Sequence, residues 1–211
     1  MQRLISIVVM MLGLILIGVA VYQLAWSKLE QAEALGEAKR LVNQQSVTPI
    51  GVDEAKPGLN GEKDKVRSYE VGQVIGILAI PRLDRELPIV EGVDEDDLAR
   101  GVGHHRATAL PGQGDQILLS GHRDTVFRRL GELKKGDQLI IEMPEGTFSY
   151  VIYQMEIVDA EDRSVIRSTA PDEILTLSTC YPFHFVGSAP ERYIIYAKRL
   201  EQVSMISKSE E

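Results

Sequence analysis

Three kinds of side chain in this 211-residue sequence could assemble a nucleophilic site, and one of them, cysteine, occurs only once, as Cys180. It closes the run Ile174-Leu175-Thr176-Leu177-Ser178-Thr179-Cys180. A single thiol allows no intramolecular disulfide and no multi-cysteine zinc site, so Cys180 is a packing residue, a link to another chain or a nucleophile. By residue type alone, a free cysteine is most often a small buried hydrophobe. Two other segments shift that balance: Leu118-Leu119-Ser120-Gly121-His122-Arg123-Asp124 and Glu191-Arg192-Tyr193-Ile194-Ile195-Tyr196-Ala197. Cys180 and His122 both follow apolar runs, where strand ends feed loops and a scaffold presents side chains to a substrate. Arg192 opens the run after Cys180, so antiparallel neighbours would bring the end of one strand beside the start of the next. Thiolate is the reactive form of cysteine, imidazole exchanges protons near neutral pH, and guanidinium is a permanent cation with several donors. Together they suit attack on a carbonyl.

Alternation along the strand sharpens this reading. Cys180 shares a face with Ser178, Thr176 and Ile174, while Leu175 and Leu177 lie on the opposite, core-forming face. The thiol is therefore expected on the more polar side, and Arg192 on the face of Ile194, Tyr196 and Lys198.

Positioning these groups requires an all-β scaffold. From Tyr69 onward, short apolar runs alternate with Gly, Pro and Asp, which predicts strands over 74–80, 87–91, 116–120, 138–143, 147–159, 173–180 and 192–200. Acidic residues open a short helix over 94–100, and a second is expected over 126–133 behind Asp124 or Thr125. Short strands of this number most simply lose their edges by closing into a barrel.

Residues 1–27 carry Arg3 and an unbroken apolar stretch from Leu4, with Tyr22 and Trp26 at its far end. A spanning helix needs about 20 apolar residues, whereas a secretory leader has an apolar core of about 7 to 15, so the segment reads as an anchor. The terminal amine and Arg3 before it, against Lys28 after it, favour the amino end on the cytoplasmic side and the remainder outside. Residues 28–68 read as a juxtamembrane helix, rich in Ala, Leu, Glu and Lys, followed by a flexible linker that holds the domain away from the membrane. Residues 69–202 form the folded domain and 203–211 a polar tail. The net charge of −8 argues against nucleic acid as a partner.

Other residues invite weaker readings. His104 and His105 are adjacent and so poorly placed as a metal pair; loop histidines near the active face are expected, and His184 is expected in a solvated loop. Asp124 is either a partner for His122 or a helix cap. The acidic run 91–97 offers no dedicated oxygen cage, so no metal and no cofactor is expected. Ile77, Leu78, Val90, Ala109 and Ile166 are candidates for an apolar substrate groove or for core.

The sequence resembles the bacterial sortases, with Thr176-Leu177-Ser178-Thr179-Cys180 as a TLxTC motif, Gly121-His122 upstream and Glu191-Arg192-Tyr193 downstream. GHRDTVF and TLSTCYPFHFVGSAPERYIIYAKR look most like the class D group, and the resemblance covers about 69–200 plus the anchor. It implies a mainly β, closed barrel of about seven to eight strands with short helices behind a transmembrane helix. It implies Cys180 as nucleophile, His122 as general acid and base, and Arg192 as electrostatic stabiliser. It further implies cleavage of an LPxTG-like sorting signal after Thr, a thioacyl intermediate, and transfer to a cell-wall precursor amine outside the membrane. Two rivals are a thiol endopeptidase and a membrane-tethered binding domain with an inert cysteine.

Overall fold

The computed structural model describes residues 2–45, 69–185 and 187–200. The expected linker over 46–68 and tail over 203–211 lie outside the described residues. Eight strands close a barrel: β1 (Val74–Ile80), β2 (Arg85–Glu91), β3 (Val102–His104), β4 (Gln116–Ser120), β5 (Gln138–Met143), β6 (Gly146–Asp159), β7 (Ile174–Tyr181) and β8 (Glu191–Arg199). Their order around the wall is β1-β2-β3-β4-β7-β8-β6-β5. The β2–β3 and β4–β7 pairs are parallel and the other neighbours antiparallel. Alternate residues fill the interior, among them Leu78, Ile117, Leu119, Leu139, Ile141, Tyr150, Leu175, Leu177 and Ile195.

The seven strands expected from alternation are all present, with ends shifted by at most two residues. β3 was not expected. It is only 3 residues long, and its centre is Gly103, which has no side chain to register in a hydrophobic pattern. A Cβ there would fall 2.3 Å from the carbonyl oxygen of Gly92, so this strand exists because glycine lets two backbones approach.

The first expected short helix is α2 (Glu95–Arg100), opened by a capping box between Asp94 and Asp97. The helix expected over 126–133 is instead a series of turns ending in one 3-10 turn, Leu130–Glu132. Val126, Phe127, Leu130 and Leu133 do have helical spacing, but all four are pinned into the barrel's interior cluster. That anchoring overrides the local pattern.

The anchor and juxtamembrane helix, expected as separate pieces, form one continuous helix, α1 (Gln2–Gln45). Its first half is exposed, apolar and long enough to cross a membrane. Its second half packs on the barrel wall, where Ala34 and Ala38, one turn apart, are buried against Val74, Ile77 and Val90. Ile77 and Val90 therefore lie beneath this helix and Leu78 lies in the barrel interior; none of the three lines a groove.

Candidate active site

Two strand pairings assemble the site. β7 and β8 run antiparallel with Cys180 directly opposite Arg192, so their side chains leave the same face of the sheet. β4 runs parallel to β7 with Ser120 beside Ser178, and the pairing continues past the strand end, where Gly121 N donates to Ser178 O at 3.1 Å. His122 and Cys180 each lie two residues beyond that Ser pair, Cys180 on β7 and His122 in the loop that follows β4.

The face is the outer one. Leu175 and Leu177 belong to the interior cluster, whereas Ile174 packs outside the wall with Ile194, Tyr196, Val158 and Val165. Cys180 shares parity with Ile174 and is half-exposed, as are His122 and Arg192. On β4, Ile117 and Leu119 point inward. Gly121 does too, since a Cβ there would meet Val126 and Phe127 at 2.7 Å. The glycine before His122 is thus required by close packing, and the imidazole that follows it is half-exposed.

Buried neighbours hold this geometry. Thr179, 3% exposed, donates from Oγ1 to Gly121 O at 2.7 Å, tying the residue before the thiol to the residue before the imidazole. Phe127, 1% exposed, donates from its backbone N to His122 O at 3.0 Å and folds the loop back immediately. Arg192 Nη1 donates to Ala189 O (3.2 Å) and Glu191 O (3.0 Å), which fixes one arm of the guanidinium. Tyr181, Phe183 and Tyr193 form an aromatic cluster with centroids 5.4–6.0 Å apart, and burial pushes the Tyr193 phenol up.

Sequence reasoning missed the residues that position the surrounding loops. Arg123, next to His122, donates from Nη2 to Phe185 O (2.7 Å) and Gly187 O (2.8 Å), holding the β7–β8 loop against the β4–β5 loop. On the outer face, residues 160–173 return from β6 to β7 and are held by Asp115 and Gln116. Gln116 Nε2 donates to Val165 O (2.8 Å) and Thr176 Oγ1 (3.1 Å), and its Oε1 accepts from Arg167 N (3.0 Å). The Asp115 carboxylate accepts from Thr169 N, Ala170 N and Ser168 Oγ. The Thr169 amide first, then that of Gln116, holds it below the usual carboxylate range. These partners are about fifty residues apart in sequence, and no local pattern marks them. A cavity of about 200 Å³ lies between this loop and residues 107–109, lined by Ala109 and Ile166 among others.

Other predicted residues fall elsewhere. His104 is not a loop residue: it is buried on β3, with Nδ1 2.7 Å from Glu91 Oε2 and Nε2 3.0 Å from Ala109 O. His105 follows it, half-buried and bonded to β4 through its backbone N. His184 is exposed in the β7–β8 loop. Asp124 is exposed and, among the described residues, makes no hydrogen bond with His122; with no helix at 126–133 it caps none. In the acidic run, Glu91 is engaged by His104, and Asp94 and Asp97 by each other.

A closed barrel of this topology, with a cysteine and an arginine paired across β7 and β8, defines a class already described in other proteins. The sortase-domain family model matches residues 78–200, and the chain belongs to the sortase family of cysteine transpeptidases. It is 44% identical over 203 residues to Sortase D of Bacillus subtilis (strain 168), covering 95% of this chain and 100% of that protein, which supports the class D group. It is 26% identical to Sortase A of Listeria monocytogenes, over 85% of this chain and 84% of that one. A Clostridium perfringens Sortase D5 transpeptidase shares the fold, with a TM-score of 0.64 at 23% identity over 81% of this chain and 98% of that one.

Proposed function

We propose that this sortase cleaves an LPxTG-like sorting signal after Thr on Cys180 and passes the acyl group to a cell-wall precursor amine outside the membrane. The observation that supports the reading is the pairing of Cys180 with Arg192 across β7 and β8, with His122 two residues past the end of the neighbouring strand β4. An outward thiol is reachable by a polypeptide lying along the wall, which an inert cysteine of the barrel core is not. Below the Cys180 row the outer face is covered, since Gln116, Leu118 and Thr176 are buried where residues 160–173 cross the wall.

In this mechanism the Cys180 thiolate attacks the Thr carbonyl carbon, forming a C–S bond as the oxyanion develops. Arg192 stabilises that charge. The C–N bond then breaks, and His122 gives its proton to the departing amine. The incoming amine attacks the thioester and loses a proton to His122. The C–S bond breaks and the thiolate is restored. The apolar first half of α1 is the anchor, with its amino end cytoplasmic and the barrel outside, where such amines are found.

Incubating the protein with an LPxTG-type peptide and an amine should give the amide, with a thioacyl adduct on Cys180 visible by mass spectrometry. Cys180→Ala should abolish both, and His122→Ala should lower turnover by about 10²–10⁴-fold. Undiminished turnover by Cys180→Ala would overturn the assignment. Release of free carboxylate alone in excess amine would make the protein an endopeptidase.

A further inference from the structure

The packing of α1 on the barrel has a direction. Gln31 Nε2 donates to Ala99 O at the end of α2 (3.3 Å), Glu37 pairs with Arg100 (3.6 Å), and Lys39 pairs with Glu86 near the start of β2. Arg100 also donates to Gly72 O, and Gly72 N bonds Glu91 O, which places the α2 contact toward the end where β2 finishes. Moving along α1 away from its apolar half thus leads from the finish of β2 toward its beginning. β2 runs toward the membrane side of the barrel.

The remaining directions follow from the pairings. β3 is parallel to β2 and also runs toward that side; β4 is antiparallel to β3 and runs away from it. β7 is parallel to β4 and runs away, reaching Cys180 at its far end, and β8 returns from Arg192. β5 and β6 turn at Glu145 on the near side, because Gly146 pairs with Met143 and Asp159 with Glu191. The near end therefore carries Gln116, Glu145 and Arg199, and the far end carries His122, Cys180 and Arg192.

The spacing along α1 is short. Ser27 to Gln31 is ~6 Å of helix and Ser27 to Lys39 ~18 Å. Two buried alanines, a hydrogen bond and two ion pairs hold this stretch to the wall. We propose that residues 28–45 are a rigid strut that seats the barrel on the membrane surface with the Cys180 cleft at the end facing away from the bilayer. The proposal rests on the anchor reading above. It means that the thioester forms roughly 10 Å farther from the headgroups than the Glu91 row, which the registers set three residues along the strands from Cys180. The acceptor amine must then stand off the membrane on an extended carrier; an amine at the level of a phospholipid headgroup does not reach.

The unique thiol makes this measurable in the full chain. The protein is reconstituted into vesicles containing a headgroup-labelled acceptor lipid, with a donor fluorophore on Cys180 or, in a Cys180→Ala background, on Glu145→Cys. Energy transfer at least twofold stronger from position 145 than from position 180 is the expected result. Ala38→Asp, which puts a charge into the buried helix face, should erase the difference, and so should a flexible Gly-Ser insertion after Ser27, which leaves the packing intact. Equal transfer from both positions in the otherwise unmodified chain overturns the seating while leaving the anchor standing. A difference that survives both changes overturns the strut. Failure of the chain to associate with vesicles overturns the anchor reading and the proposal with it.

Discussion

At the residue scale, the proposed oxyanion contact comes from an arginine that is half tied to its own backbone. Arg192 spends Nη1 on the carbonyls of Ala189 and Glu191, so its planar head is oriented before any substrate arrives. Lysine supplies one charge without the fixed fork, and two carbonyls would compete for it. Arg192→Lys is therefore expected to lower kcat by about 10²–10³-fold, the range for losing one preorganised oxyanion contact, with little change in KM. Steady-state transpeptidation assays measure this, and a loss under fivefold would mean that charge alone suffices. Arg123 acts at one remove: its two bonds to the β7–β8 loop pass beside the cleft, so Arg123→Ala should raise KM more than it lowers kcat. An equal fall in kcat, measured in the same assay, would place Arg123 closer to the chemistry.

At the element scale, the 160–173 loop is an added wall over the outer face and has little core of its own. Asp115 and Gln116 hold it, and the hold of Asp115 is sensitive to pH. A carboxyl depressed in the folded state contributes above its unfolded pKa, about 3.9, and the contribution is lost as pH falls through the lower folded value. Relative to an unstructured reference peptide, which removes pepsin's own pH profile, pepsin cleavage within the loop should accelerate as pH drops below about 4 in the wild-type protein. In Asp115→Asn, cleavage should already be fast at pH 5 and should change little on further acidification. Identical cleavage profiles would show that the Gln116 bonds alone hold the loop. At the near end of the barrel, buried Glu173 gathers Gly112 N (2.9 Å), Gly114 N (3.2 Å), Tyr150 OH (2.8 Å) and Arg199 Nη1 (3.1 Å). Burial first, then the Glu173 charge, raises the Tyr150 phenol far above its ordinary range, so it stays a donor.

At the scale of the whole molecule, α1 is apolar and long enough in its first half to cross a membrane and is part of the fold in its second. Without residues 28–45, Val74, Ile77 and Val90 would face water. Restoring about 2 kcal/mol of apolar burial corresponds to ~4–8 °C in a domain of this size. A chain beginning at Tyr69 should therefore melt about that much lower than one beginning at Lys28, measured by calorimetry. Equal melting temperatures would make the helix a bystander to barrel stability.

Local pattern was enough for much of this. Period-two alternation located seven strands and put Cys180 opposite Leu175 and Leu177, because strand geometry forces successive side chains to opposite faces. Length and apolarity marked the first half of α1, and acids near Asp94 marked α2. What the sequence could not carry was which surfaces meet. Helical spacing at 126–133 became turns because the barrel interior claimed those side chains, and β3 formed around a glycine with no pattern to read. His104 went inside with Glu91, and residues 28–45 lay down on β1 and β2. Alternation and length act between neighbours in the chain, whereas burial, register and ion pairing act between residues distant along it, and only closing the barrel brings those together.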